Sequence, residues 1–422
     1  MHRRAFLFTG SLAFAAHSVP AWAQQLAESG SQAEWSQNYD AASRIRVKRS
    51  STPILSAQAA AATEQAIEHY RDIVGRGGWA PLQICERTRV GARGPSVVAL
   101  RQRLITTGDL DPAAGSSQVY DSYVEAGVRR FQARHGLNMT GAVNSATLAA
   151  MNVPAQTRLR QLEINLVRLR AYSGNLGNRY VIVNIPAAVV ETVEDAQVVT
   201  RHAAGVGKID RQSPVMNAKI TEINFNPFWT VPASIIRKDL IPKMRTEPDY
   251  LTKNRIRIIN GQGAELRPET VNWNSDEATR YMFKQDPGGD VNSMGFVRIN
   301  IPNPHGVYMH DTPSKGIFGD DFRFVSSGCV RVQNVRDYIQ WLLKETPGWD
   351  REQIDAAFKG GQRQDAKITQ PVNVYWTYIT SWGTADGLVQ FRDDIYNRDG
   401  VGAVPVASRM QPDASDLEEL LN

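Results

Sequence analysis

The spacing of apolar residues changes near the middle of the chain. Between residues 94 and 170 they recur every three or four positions, which is typical of amphipathic helices. The pattern predicts three short helices before residue 153, the third at 145–151, and a linker helix over 158–177. The apolar positions that carry the first two helices are Val97, Leu100, Leu104, Val124, Val128 and Phe131.

From residue 178 onward the apolar runs are short, β-branched and bounded by Pro, Gly and Asn, which is typical of strands. One long helix, with Val335, Ile339 and Leu342 on one face, is predicted among them. The sequence therefore predicts an α+β protein in which a small three-helix module precedes a β-rich domain. The clearest predicted strands are YVIVNI (180–185), KITEINF (219–225), FVRINI (296–301) and PVNVYWTYIT (371–380).

Residues 237–275 interrupt the strand pattern with mixed charge and several turn signals. Insertions of this length are typical of active-site lids, although a surface loop fits the same pattern; we predict a lid. The predicted boundaries are an export signal at 1–23, a flexible arm at 24–60, the helical module at 61–157, the linker helix at 158–177, the β-rich domain at 178–400 and a tail at 401–422.

The first 23 residues have the features of a cleavable export signal. Arg3 and Arg4 precede an apolar run, and Ala21-Trp22-Ala23 supplies the small-x-small ending of a cleavage site. The paired arginines suit a twin-arginine signal as well as an ordinary secretory one. No later stretch reaches the about 18 apolar residues that a membrane span needs. From the export signal we expect an exported, periplasmic protein without a further membrane span.

The formal charge of the chain is +5, and removal of the signal with its two arginines leaves +3. A mild positive excess without basic stripes suits contact with an anionic wall polymer and argues against nucleic-acid binding. We expect a monomer that needs no metal and no organic cofactor.

Cysteine and histidine are scarce, with two and seven copies in 422 residues, yet His310 and Cys329 lie in one loop-rich segment. A histidine at hydrogen-bond distance could activate the Cys329 thiol as a nucleophile. Gly328 can adopt a positive φ, which would let successive backbone N–H groups converge beside the sulfur as an oxyanion hole. The segment therefore indicates a nucleophilic cysteine site.

Other interpretations stay open on these residues alone. Cys329 could form a disulfide with Cys85, as cysteines of exported proteins often do, or it could be an inert core residue. A zinc site at His305, His310 and a cysteine lacks a recognisable ligand spacing. The sequence SSGC is not the Gly-x-Ser-x-Gly turn of a serine hydrolase.

Several segments resemble those of a known family. HGVYMHDTPSKGIF…RFVSSGCVRV is similar to the active-site segment of the L,D-transpeptidase family, and GVGKIDRQSPVMNAKITEINFNPFWTVPASI and DPGGDVNSMGFVRINIPN resemble its large, lid-bearing periplasmic branch. VVALRQRL…VRRFQARHGLNMTGAVNSATLAAMNV resembles the peptidoglycan-binding-like domain found beside bacterial cell-wall enzymes. The resemblance implies a β-rich L,D-transpeptidase catalytic domain after a peptidoglycan-binding-like module.

The resemblance also implies a role for each residue of the segment. Cys329 would be the nucleophile, His310 the general base and acid, and the backbone carbonyl of Asp311 would orient the imidazole. The backbone amides of Ser327, Gly328 and Cys329 would form the oxyanion hole. The residues expected to bind substrate are Tyr308, Ser326 and Arg331. Many family members have Ser/Thr-His-Gly-Cys where this chain has Ser-Ser-Gly-Cys, so no role of a second histidine transfers.

The implied activity is acyl transfer on peptidoglycan stem peptides. Cys329 would form an acyl-enzyme at the diaminopimelate of a tetrapeptide, release D-Ala and pass the acyl group to an amine, forming a 3-3 cross-link. Cys329 would then be free rather than bridged to Cys85, and carbapenems would be inhibitors. The alternatives are a cysteine hydrolase of wall stems, an L,D-carboxypeptidase or amidase, and a non-catalytic peptidoglycan-binding protein.

Overall fold

The computed structural model describes residues 50–85, 87–172, 174 and 176–400. The predicted export signal, most of the predicted arm and the tail at 401–422 lie outside the described residues.

The helices of the first part agree with the apolar spacing. They are α1 (Ala57–Gly75), α2 (Pro95–Thr106), α3 (Ser122–Arg134), α4 (Ser145–Met151) and α5 (Ala155–Ala171). Three of them begin at a polar residue whose side chain accepts a hydrogen bond from an N–H of the first turn, which satisfies a donor that the helix leaves unpaired. These capping residues are Ser56 of α1, Asp121 of α3 and Asn144 of α4.

The folded part of the chain begins before residue 60, where the predicted flexible arm was expected to end. Ile54 and Leu55 are buried, and α1 begins at Ala57, so residues 50–60 are packed rather than extended as an arm. The predicted linker helix corresponds to α5, whose leucines are buried against α1 and the sheet. Composition suggested an arm because the apolar pair and the capping serine lie among Ser, Ala and Gln.

The strands before the predicted insertion are β1 (Arg179–Asn184), β2 (Val189–Glu194), β3 (Gln197–Gly207) and β4 (Met216–Phe225). Those in and around it are β5 (Trp229–Thr230), β6 (Ile256–Ile259), β7 (Glu265–Leu266) and β8 (Met282–Gln285). Those after it are β9 (Val297–Asn300), β10 (Met309–His310), β11 (Phe324–Ser326), β12 (Val330–Val332), β13 (Gln364–Thr377), β14 (Ser381–Gly383) and β15 (Val389–Phe391).

Nine strands of the described chain form one sheet in the order β11-β3-β12-β10-β9-β4-β13-β1-β2. The long strand β3 pairs with β2 along its first part and with β12 and β11 along its last residues. Because β3 joins both ends of the order, the sheet closes on itself. The two strands that carry the candidate site residues, β10 and β12, lie side by side within it.

The insertion is a folded unit and is longer than predicted, extending over residues 229–285. Its strands pair in the order β5-β8-β6-β7, and Leu251, Ile258 and Phe283 belong to its own hydrophobic core. Its helical part runs through Ala233–Ile235, a π-helical stretch at Ile236–Leu240, α6 (Ile241–Thr246) and α7 (Tyr250–Lys253).

The main sheet is buried on both faces at β1. Val181 and Val183 pack in the cluster that contains helices α8 (Val335–Leu343) and α9 (Arg351–Gly360), whereas Tyr180 and Ile182 pack with α1 and α5. Because successive strand residues point to opposite faces, a strand covered on both sides needs apolar residues at every position. This explains the uninterrupted run YVIV.

The helical module rests on the β14–β15 hairpin. The His135 ring stacks on Phe131 and on Phe391, with ring centroids 3.8 Å and 5.5 Å apart. Arg134 forms a buried ion pair with Asp109 at 2.6 Å and donates to the Val389 carbonyl at 3.3 Å. Burial, and then the charge of Arg134, lowers the pKa of His135 well below its usual value, so this ring stays neutral.

Within the described chain no helix is both long and apolar enough to cross a bilayer.

Replacement of Gly136 by Ala should destabilise the contact between the helical module and the hairpin. Gly136 has φ +67°, and an added Cβ would lie 2.7 Å from Nε of Arg392. The left-handed conformation alone costs a residue with a Cβ about 1–2 kcal/mol, so the midpoint temperature of thermal unfolding should fall. Gly75→Ala is the matched control, because an added Cβ there meets no atom within 4 Å. Equal midpoints for the two variants in calorimetry would contradict this account.

Candidate active site

The pairing of β10 with β12 sets the orientation of the candidate catalytic residues. The strands are parallel, with Met309 opposite Val330 and His310 opposite Arg331. Met309 and Val330 are fully buried in the core of the main sheet. Because side chains alternate along a strand, His310 and Arg331 project from the other face.

Cys329 lies on the same face as His310. The Val330 N–H donates to the Tyr308 carbonyl at 3.0 Å, which continues the register by one position and places Cys329 beside Tyr308. The Tyr308 and His310 rings are in edge contact, with centroids 5.8 Å apart. Cys329 and His310 are thus diagonal neighbours on adjacent strands, a separation that an aromatic side chain such as the His310 ring can span.

The backbone carbonyl of Asp311 holds the His310 ring. His310 is only 7% exposed, and its Nδ1 lies 2.5 Å from this carbonyl oxygen. A carbonyl only accepts, so Nδ1 carries the proton and the lone pair is left on Nε2, as a general base requires. The Asp311 carboxylate is in turn held by the Phe296 N–H at 3.0 Å and by the Lys315 ammonium.

The resting pair is a thiol and a neutral imidazole. Both cysteines are free, Cys85 being exposed and Cys329 partly exposed. Burial raises the pKa of the Cys329 thiol to about 11, although Tyr308, Arg298 and Arg331 favour the thiolate. Burial, followed by the charge of Arg331, lowers the pKa of His310 to about 3. Proton transfer from sulfur to nitrogen is therefore unfavourable before a substrate arrives.

Two arginines flank the imidazole across the sheet. Arg298 on β9 is paired with His310, and His310 is paired with Arg331 on β12. The Arg298 guanidinium also lies over the Tyr308 ring, 4.4 Å from its centroid. In the described part of the chain, Nε of Arg298 and Nε and Nη1 of Arg331 are buried without a hydrogen-bond partner. Arg298 was not among the predicted site residues, although a charged residue that alternates with Val297 and Ile299 along a strand was a signal for it.

The loop at 208–213, between β3 and β4, holds the residues before Cys329. The Lys208 N–H donates to the Ser326 carbonyl at 2.9 Å, and Ser213 Oγ donates to the Gly328 carbonyl at 2.9 Å. Arg211 donates to Ser327 Oγ, also at 2.9 Å. Each residue of the Ser-Ser-Gly turn is therefore fixed by one contact from this loop.

The turn itself differs from the expected oxyanion hole at one donor. Gly328 has φ +110°, in the left-handed region that glycine favours, but its N–H donates to Ser326 Oγ at 3.1 Å. The N–H groups of Ser327 and Cys329 make no hydrogen bond with the described residues and stay available to a ligand. Ser326, predicted to bind substrate, is buried and donates from Oγ to the Cys329 carbonyl at 2.6 Å, so its side chain shapes the turn.

Of the predicted site residues, Tyr308, His310 and Arg331 thus lie on one strand face with Cys329, and Ser327 is exposed. His305 is exposed and lies outside the strands. Among the described residues, no group of three or more His, Cys, Asp or Glu side chains is arranged to hold a metal ion.

Comparison with known proteins gives two domain matches. Residues 178–350 match the model described as L,D-transpeptidase catalytic domain, and residues 93–151 match the one described as "Putative peptidoglycan binding domain". A curated protein of Haemophilus influenzae named "Putative L,D-transpeptidase" is 31% identical over 241 residues, which are 57% of this chain and 48% of that protein. The chain therefore spans about half the length of this relative.

Two solved structures among the matches are L,D-transpeptidases of low identity. One, from Xylanimonas cellulosilytica, is 15% identical and covers 70% of this chain and 99% of its own, with a TM-score of 0.23. The other, an LD transpeptidase in complex with imipenem, is 12% identical and covers 47% of this chain and 59% of its own, with a TM-score of 0.24.

The reactivity of Cys329 should rise with pH without a plateau in the neutral range. Since its pKa is raised to about 11, the thiolate fraction and the rate of alkylation by iodoacetamide should grow about tenfold per pH unit between pH 7 and 10. The Cys85→Ser variant removes the exposed second thiol, and Cys329→Ser gives the background. Mass spectrometry of the labelled peptide follows the rate; a plateau below pH 8 would indicate a thiolate–imidazolium pair instead.

Proposed function

We propose that this chain, whose residues 178–350 match an L,D-transpeptidase catalytic domain and whose residues 93–151 match a peptidoglycan-binding domain, is a periplasmic peptidoglycan L,D-transpeptidase. The observation that carries the proposal is the placement of Cys329 and His310 on one face of adjacent strands, with the imidazole held through Nδ1 by the Asp311 carbonyl. This placement supports the proposal because a nucleophile and its general base must face each other on one side of the sheet.

Acylation would proceed by attack of the Cys329 sulfur on the carbonyl of diaminopimelate in a tetrapeptide stem. His310 Nε2 takes the thiol proton as the carbon–sulfur bond forms, because the resting pair is neutral. The imidazolium then gives this proton to the nitrogen of D-Ala, the carbon–nitrogen bond breaks, and D-Ala leaves. A thioester on Cys329 remains.

The second half-reaction would reverse these roles. The amine of a second diaminopimelate side chain attacks the thioester, His310 accepts a proton from the attacking nitrogen, and the proton returns to the departing sulfur. The products are a 3-3 cross-link and the free thiol. A lipoprotein lysine or a D-amino acid would react in the same way, whereas water would make the enzyme a hydrolase.

The negative charge on the tetrahedral oxygen would be met by backbone donors. The N–H groups of Ser327 and Cys329 are the candidates, since the Gly328 N–H is engaged by Ser326. Donors fixed before the reaction stabilise developing charge without reorganisation, and the three contacts from the loop at 208–213 fix this turn.

Arg331 and Arg298 would bind a carboxylate of the stem peptide. Burying a charge without a partner is costly, and both guanidinium groups present buried N–H donors beside Cys329 without a hydrogen bond in the described chain. A stem peptide brings carboxylates on D-Ala and on diaminopimelate. Such a contact would orient the stem and offset the cost of burying the arginines.

The first test replaces the nucleophile. Cys329→Ala should abolish conversion of purified disaccharide-tetrapeptide into cross-linked dimer and free D-Ala, because no thioester can form. Products are read by liquid chromatography and mass spectrometry. The intact protein should also gain the mass of one carbapenem, and Cys329→Ala should not, whereas Cys85→Ala should behave as the parent protein.

The products separate this proposal from its alternatives. Tripeptide without any dimer, at high acceptor concentration, would indicate a hydrolase. Wall binding by the parent protein without turnover or carbapenem labelling would indicate a non-catalytic binding protein.

A second test concerns the carboxylate contact. Arg331→Gln should lower kcat/KM for the tetrapeptide by about 10- to 100-fold, the usual loss for a hydrogen bond between charged groups. For a tetrapeptide amidated at D-Ala, the loss should be much smaller if that carboxylate is the partner. Arg363→Gln is the matched control, because Arg363 is exposed and paired with Asp365 on the surface. An equal loss for both substrates would exclude the D-Ala carboxylate.

A further inference from the structure

One guanidinium joins the turn before Cys329 to the insertion. Arg211, in the loop at 208–213, donates from Nη1 to Asp239 Oδ2 at 2.5 Å and from Nη2 to Asp239 Oδ1 at 2.9 Å. The same Nη1 donates to Ser327 Oγ at 2.9 Å. Asp239 lies in the π-helical stretch of the insertion, and Ser327 lies two residues before the nucleophile.

This three-residue contact is well sheltered for charged groups. The side chains of Arg211 and Asp239 are 16% and 22% exposed, and the pair is bidentate, which is the strongest geometry for such a pair. Asp239, and less so Asp210, raises the pKa of Arg211 above its ordinary value, so the charge is permanent. Ser327 itself is exposed, and Arg211 is the group that ties its side chain to the fold.

The insertion meets the site at a second point. Trp229, at its start, lies close enough to Tyr308, the residue beside Cys329, to favour ionisation of the Tyr308 hydroxyl and so lower its pKa, against the larger effect of burial. The insertion therefore reaches two neighbours of Cys329. Trp229 lies near Tyr308, and Asp239 is linked through Arg211 to Ser327. Neither contact involves the Cys329 or His310 side chains.

We propose that Arg211 is a positioning residue that couples the seating of the insertion, through Asp239, to the orientation of Ser327 and thereby to the reactivity of Cys329. Breaking the Asp239 contact frees the guanidinium to move, and the Ser327 turn with its N–H donors loses its fixed position. The proposal deepens the proposed function, since the reaction affected is the acylation of Cys329, but it requires only that Cys329 reacts with an electrophile.

The test is a double-mutant cycle in the Cys85→Ser background. Asp239→Asn removes the charge on the insertion, and Ser327→Ala removes the hydroxyl while keeping the backbone N–H. The readout is the limiting rate of Cys329 modification, by iodoacetamide and separately by a carbapenem. Each single variant should slow carbapenem acylation about tenfold, since small displacements of reacting groups have effects of this size. The double variant should be no slower than about twice the slower single one, because both act through Arg211.

The matched control is Asp276→Asn. Asp276 pairs with Arg237, two residues from Asp239, at 3.0 Å on the exposed surface of the insertion, so this variant should change the rate less than twofold. Arg211→Lys should react faster than Arg211→Ala but slower than the parent protein, because lysine keeps the positive charge but cannot make the bidentate hydrogen bonds of a guanidinium. Thermal unfolding of every variant separates loss of fold from loss of position.

Two results would overturn the proposal. Strictly multiplicative effects of Asp239→Asn and Ser327→Ala would mean that the insertion and the turn are independent, and an unchanged or faster rate in Asp239→Asn would mean that the contact does not position Cys329. A parent protein that reacts with iodoacetamide but neither with carbapenem nor with muropeptides would instead count against the proposed function. In that case the cycle is read from the iodoacetamide rates.

Discussion

The candidate site depends on the register between two strands of two and three residues, β10 and β12. Met309 and Val330, opposite each other, are completely buried, and burial of such side chains contributes about 1.5–3 kcal/mol each. A slip by one residue would turn them to the outer face and drive His310 into the core. The packing of the core therefore holds Cys329 and His310 on one face, and the flanking strands β9 and β3 keep the short pair in place.

The same burial decides the protonation state of the site. Removing the two groups from water disfavours both the thiolate and the imidazolium, which is why the pKa values of Cys329 and His310 move apart rather than together. Arg298 and Arg331 favour the thiolate but also disfavour the imidazolium, so they do not produce a resting ion pair. In the proposed reaction, their charges would stabilise the negative charge that appears on sulfur and on the substrate oxygen. A neutral resting thiol is also less open to adventitious oxidation.

The spacing of apolar residues predicted those helices and strands whose buried faces follow from neighbouring residues in the sequence. The spacing of Val124, Val128 and Phe131 located α3 because one buried face at helical period leaves a clear trace, and β-branched runs located β1, β4 and β13. His310 and Cys329 were identifiable because both residue types are scarce and the motif around them is specific. Arg211, Asp239 and Ser213 were not identified, since their partners lie from 28 to 116 residues away and ordinary charged and polar residues give no signal before the chain is folded. The boundary at Ile54 was missed for a related reason, because its burial depends on helices and strands that follow much later.

Ser327 and Gly328, which precede Cys329, lie between β11 and β12 and belong to no strand, and this explains why distant segments fix them. Ordering the backbone of one residue costs roughly 1–2 kcal/mol, and Ser327 and Gly328 lack the ladder hydrogen bonds that offset this cost within a sheet. The loop at 208–213 supplies one hydrogen bond to each of them, and Arg211 extends the chain of contacts into a unit with its own hydrophobic core. The rigidity of a turn held in this way depends on the contacts that hold Arg211. The insertion at 229–285 can therefore influence the chemistry at Cys329 without contributing a reacting group.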